Sequence, residues 1–66
     1  MKILIQHKGN GRFLTGDGTW SDDDQSAKDF ANASQAVQFC KERGLKDVQV
    51  TLRFETGLPD IALSVN

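Results

Sequence analysis

Three stretches of the chain alternate apolar and polar residues with period two, and one repeats apolar residues with a period near 3.6. In residues 2–7, Ile3 and Ile5 share one side and Leu4 and Gln6 the other, the signature of a strand. Lys8-Gly9-Asn10-Gly11 follows as a turn. Asn-Gly suits positive φ at both central positions of a hairpin loop, so residues 12–15 are expected to return as a second strand carrying Phe13 and Leu14. Gly16-Asp17-Gly18 is a second tight turn, and Thr19-Trp20 a short third strand. Residues 47–54 alternate cleanly: Val48, Val50, Leu52 and Phe54 on one side, Gln49, Thr51 and Arg53 on the other. After a turn over residues 55–60, Ile61, Leu63 and Val65 alternate with Ala62 and Ser64, predicting a last strand.

The helical period sits between these strands. Ala33, Ala36, Val37 and Cys40 follow i, i+3, i+4, i+7 spacing, with Phe39 widening the stripe and Gln35, Gln38, Lys41 and Glu42 facing water. Asn32 or Ser34 is the N-cap. Gly44 stands where a left-handed residue closes a helix, with Leu45 placed for the accompanying apolar contact. Upstream, Ser21-Asp22-Asp23-Asp24 fits a capping box, and its three aspartates suit the positive end of a helix dipole. A short helix is expected there, with Ala27 and Phe30 pointing inward. The sum is a single α+β domain over residues 1–66: a two-layer fold in ββ-α-ββ order. An antiparallel sheet of about four strands carries one main helix on one face. The other face is expected to be wet, presenting Gln6, Gln49, Thr51, Arg53 and Ser64, with Leu4 and Ala62 as apolar interruptions.

Size narrows what such a fold can do. A domain of this length buries only about 60% of its unfolded surface, which leaves little room for a deep cleft. Cys40 is the only cysteine and His7 the only histidine, so neither an internal disulfide nor a zinc site can staple the fold. The N-terminus lacks a signal-peptide apolar run, and no stretch reaches membrane-span length, so the expectation is a soluble cytoplasmic protein that uses no cofactor. Net charge is −1, unevenly spread: residues 1–12 hold Lys2, Lys8 and Arg12 without an acid, whereas residues 13–30 hold five aspartates against Lys28.

The candidate chemistry is thin. Asp17, Asp22, Asp23 and Asp24 are hard oxygen donors, but the register of a calcium loop is absent, and turn and cap roles account for each. Trp20, just before Ser21, fits an apolar position packing inward. His7 has no nucleophile at a defensible spacing, and Cys40 lies on an apolar helix face, so no catalytic set is expected. Lys2, Lys8, Arg12 and Arg53 are the candidate contacts for a nucleic acid, with Phe13 and Trp20 the nearest aromatics. Gln49, Thr51 and Arg53, on the face expected to be open, are the candidate contacts for a protein.

The order Phe13-Leu14, Asp17-Gly18-x-Trp20, Ala27-x-x-Phe30 and Ala36 resembles a pattern of small uncharacterised bacterial proteins, in which a hairpin and a W…A-x-x-F segment precede one helix. It spans residues 12–45 and is made of apolar and turn residues, so it implies fold and assigns no chemistry. The first expectation is therefore a non-enzymatic domain that binds another protein or itself as a homodimer. The alternative is a nucleic-acid-binding module built on the first hairpin.

Overall fold

The computed structural model describes residues 1–65. Its elements are β1 (Lys2–His7), β2 (Phe13–Leu14), β3 (Trp20–Ser21), a 3-10 turn (Asp24–Ser26), α1 (Ala33–Glu42), β4 (Val48–Arg53) and β5 (Ile61–Ser64). The strands form one antiparallel sheet of five, in the order β3-β2-β1-β4-β5. The α+β, one-helix reading holds; the sheet has five strands where about four were expected in ββ-α-ββ order, because the short third strand, found at Trp20–Ser21, pairs with Phe13 and Leu14 and puts three strands before the helix.

α1 lies on one face. Ile3 and Ile5 of β1, Val48 and Val50 of β4, Leu14, Phe30, Ala36 and Cys40 close the main core there. Its ends follow the sequence closely. Asn32 is the N-cap, its Oδ1 accepting from the Gln35 N–H at 2.8 Å. At the other end Gly44 has φ 63°; its N–H donates to the Lys41 carbonyl and that of Leu45 to the Cys40 carbonyl, the paired bonds of a Schellman motif. Asn32→Ala strips the cap and is expected to cost about 1 kcal/mol, read as a lower urea midpoint with unchanged m-value.

Three local expectations are corrected. The loop after β1 is longer than a two-residue hairpin turn: Gly11 has φ 73° but Asn10 does not share the left-handed region. Asn10 instead accepts the Arg12 N–H on its side chain at 2.9 Å, while the Gly11 N–H reaches back to the His7 carbonyl. The helix expected to start at Ser21 is one 3-10 turn capped by Asp23, whose Oδ1 accepts the Gln25 N–H at 2.9 Å. Ser21 belongs to β3, and its hydroxyl takes the Asp23 N–H, which bends the chain before a longer helix can start.

The third correction concerns the second face of the sheet, all of which was expected to be wet: it is roofed over Leu4, Phe13 and Thr51 and stays open at Ala62 and Ser64. From Ser21 the chain crosses that face as a strap: Asp22 pairs with Arg12, Asp24 with Arg53, and Gln25 accepts from Lys2. Leu4 and Phe13 beneath are 0% and 6% exposed. The strap then passes between β1 and β2, which diverge beyond the Gln6–Phe13 pair. Ala27 bridges Thr15, the Lys28 N–H donates to the Leu14 carbonyl, and the Phe30 N–H donates to the Ile3 carbonyl. Asp29 closes the gap by accepting the Ile3 N–H at 3.1 Å. Phe30 emerges in the helix-side core, edge to face with Phe39 at 5.4 Å.

Candidate functional site

The strap places most of the sequence-derived candidates in structural roles. Arg53 is its anchor. The guanidinium bonds Asp24 through Nη1, reaches Asp60 through Nη2 at 3.1 Å, and stacks 5.3 Å from the centre of the Phe13 ring. Thr51 is 2% exposed and donates its hydroxyl to Gln6 Oε1 at 2.9 Å; Gln49 donates to the same oxygen at 3.2 Å. Gln6 completes the ladder by donating to the Gly11 carbonyl. Of the three residues expected to contact a protein, Thr51 is buried and Arg53 is committed to the strap, while Gln49 stays half-buried.

The cationic candidates do not converge. Lys2 and Arg53 are directly opposite across β1 and β4, at one end of the sheet. Lys8 lies beyond the other end of β1, its Nζ donating to Ser64 Oγ at 2.8 Å, and Arg12 is paired with Asp22 at 3.2 Å. Six residue steps along the strand direction separate Lys2 from Lys8, about 20 Å at 3.3 Å per residue. Phe13 is buried under Arg53, and Trp20 is half-buried, edge to face with His7 at 5.4 Å. Base-stacking platforms need exposed rings beside clustered cations; these residues do not form one.

The acidic stretch is likewise accounted for. Asp17 accepts the hydroxyls of Thr15 and Thr19 and the Thr19 N–H, closing the Gly16–Gly18 turn, where Gly18 takes φ 89°. These hydrogen bonds, that of Thr15 foremost, hold its carboxyl below the ordinary value of 3.8. A carboxyl with a depressed folded-state pKa stabilises the fold above its unfolded value, and that contribution disappears as pH falls through the folded one. Asp17→Asn is thus expected to flatten the fall in melting temperature between pH 5 and pH 2, measured by circular dichroism. Among the described residues no three His, Cys, Asp or Glu side chains form a metal cluster. Cys40 is 1% exposed, and burial pushes its thiol pKa up, away from the reactive thiolate. His7 uses Nδ1 to accept the Gly9 N–H at 3.0 Å.

What remains is a surface that the alternation pattern concealed. Ile61 and Leu63 of β5 point to the helix side, since they stand opposite Leu52 and Val50, both in or against the main core. They are nevertheless 47% and 40% exposed. A helix is about 10 Å wide and strands are about 4.8 Å apart, so one helix roofs two strands. α1 sits over β1 and β4. Phe39 leans toward Phe30 on the β1–β2 side, which turns Val37 toward β5. A shallow groove of about 410 Å³ runs along that flank, lined by Ala33, Ser34, Val37, Gln38 and Lys41. That groove is lined by α1 alone; apart from it, β5 ends the sheet, and among the described residues no strand pairs with its outer side.

No family model, curated protein or solved structure matches this chain. No helix among the described residues is long and apolar enough to cross a membrane.

Proposed function

We propose that this chain is a non-enzymatic protein-interaction domain whose contact surface is the β5 edge with Ile61 and Leu63 beside the Val37 flank of α1. The observation that carries the reading is an edge strand whose two large apolar side chains, Ile61 and Leu63, stay exposed and whose outer side meets no other strand among the described residues. Sheet proteins ordinarily guard such an edge with lysine, proline, a bulge or a covering loop, because bare N–H and C=O groups recruit other strands. Ile61-Ala62-Leu63-Ser64 carries no charge, and its two large side chains are about half exposed. Strand addition supplies main-chain hydrogen bonds, while alternate side chains supply specificity. The absence of a paired nucleophile and base among the described residues supports a binding role: His7 holds a loop amide and Cys40 is buried.

Photo-crosslinking in cells that express the protein tests this. Benzoylphenylalanine at Leu63 is expected to yield covalent adducts, and the same group at Gln35, on the far flank of α1, is not. Equal yields from both positions, or none from Leu63, would reject β5 as the contact surface.

A further inference from the structure

We infer that the occupant of the β5 surface is a second copy of this chain, joined by antiparallel β5–β5 pairing about a two-fold axis through Ala62. The inference rests on the reading of β5 as a contact surface and adds the identity and register of the partner. An antiparallel strand edge is complementary to itself, since each strand offers alternating donors and acceptors in the reverse order of its mate. A two-fold axis perpendicular to the sheet keeps both helices on one side. Directly opposite residues then share a face, so Ile61 and Leu63 must meet odd-numbered residues of the partner, and Ala62 and Ser64 even-numbered ones.

Charge selects among the registers this allows. Asp60 immediately precedes β5 and lies on the strap face with Arg53, to which it is bonded at 3.1 Å. Lys8 is held at the opposite end of β5, its Nζ 2.8 Å from Ser64 Oγ. With the axis through Ala62, Asp60 of each copy stands opposite Ser64 of the other and therefore beside its Lys8. Two symmetric Asp60–Lys8 neighbours result. Ile61 of each copy meets Leu63 of the other on the helix side, and the two Ala62 methyls meet on the strap side. A parallel arrangement would instead set Asp60 against Asp60 and could not close as a dimer. The interface is small, a few residues of strand with Ile61, Ala62 and Leu63 of each copy as its apolar side chains, which places it at the weak end of specific association.

Light scattering coupled to size exclusion, run from micromolar to millimolar chain, should show the mass rise from 7.3 kDa toward twice that value. Isotope-filtered NOEs in a mixed labelled and unlabelled sample should connect Ile61 methyls to Leu63 methyls of the other copy. Lys8→Glu should weaken the dimer several-fold. Combining it with Asp60→Lys should give tighter association than either single change, a rescue that a merely structural role for these residues would not produce. Circular dichroism melting confirms that each variant is folded. A folded monomer at 1 mM whose Leu63 crosslink joins a different protein overturns the second-copy inference and leaves β5 as the contact surface. A dimer that persists in Leu63→Lys without the Ile61–Leu63 NOEs overturns both.

Discussion

Leu4→Ala is expected to destabilise the protein by about 3 kcal/mol, as much as Ile5→Ala on the opposite face of the same strand. Large-to-small changes at fully buried aliphatic positions cost 2–5 kcal/mol, from lost transfer energy plus the cavity left behind. Both side chains are completely buried, Ile5 under α1 and Leu4 under the strap. A chain of this length is expected to have a total stability of roughly 3–10 kcal/mol, so either variant removes a large part of it. Urea denaturation followed by tryptophan fluorescence gives the comparison directly. If the second face were wet, Leu4→Ala would cost under 1 kcal/mol while Ile5→Ala kept its full effect. That asymmetry would show that the strap does not exclude water from the sheet.

The elements themselves were legible because local chemistry decides them. The stripe Ala33-Ala36-Cys40, the Asn32 cap and the Gly44-Leu45 stop all act within a few residues, and all stand where the pattern put them. Alternation likewise located β1, β4 and β5 to within a residue or two. What alternation could not supply was how far the helix reaches sideways. Ile61 and Leu63 carry the same signal as Val48 and Val50, but the signal states which side of the strand is apolar, not whether anything lies above it. The strand order decides that, and the order places β5 outside the width of a single helix.

The strap was illegible for a different reason. Asp22, Asp23 and Asp24 satisfy a helix-start rule, and the rule concerns only the next three residues. Their partners Arg12 and Arg53 lie 10 and 29 residues away in sequence. One signal was present: Leu4 and Phe13 are large apolar residues that no single helix could cover together with Ile3, Ile5 and Leu14. Two apolar sets on opposite sides of one sheet require two covers, and the acidic stretch is the segment between the third strand and the helix long enough to supply the second.

Arg53→Ala is expected to cost about 2 kcal/mol and to release the strap. Three contacts end at once: two carboxylate links, each worth about 0.2–1 kcal/mol at partly exposed positions, and a cation–π contact worth about 0.5–1 kcal/mol. Arg53→Lys is expected to recover less than half, because a compact ammonium cannot reach Asp24 and Asp60 together while keeping the contact with the Phe13 ring. Stability alone would not separate strap release from uniform weakening, so the discriminating measurement is local. Hydrogen exchange should accelerate at Gln25, Ser26, Lys28 and Phe30, whose amides are tied to Asp23, Leu14 and Ile3, by more than at Val50 in the sheet centre. Equal acceleration at Val50 would mean that Arg53 supports the sheet as a whole. With the strap open, Leu4 and Phe13 become a second exposed apolar strip, so Arg53→Ala should also aggregate at concentrations where Leu63→Lys stays in solution.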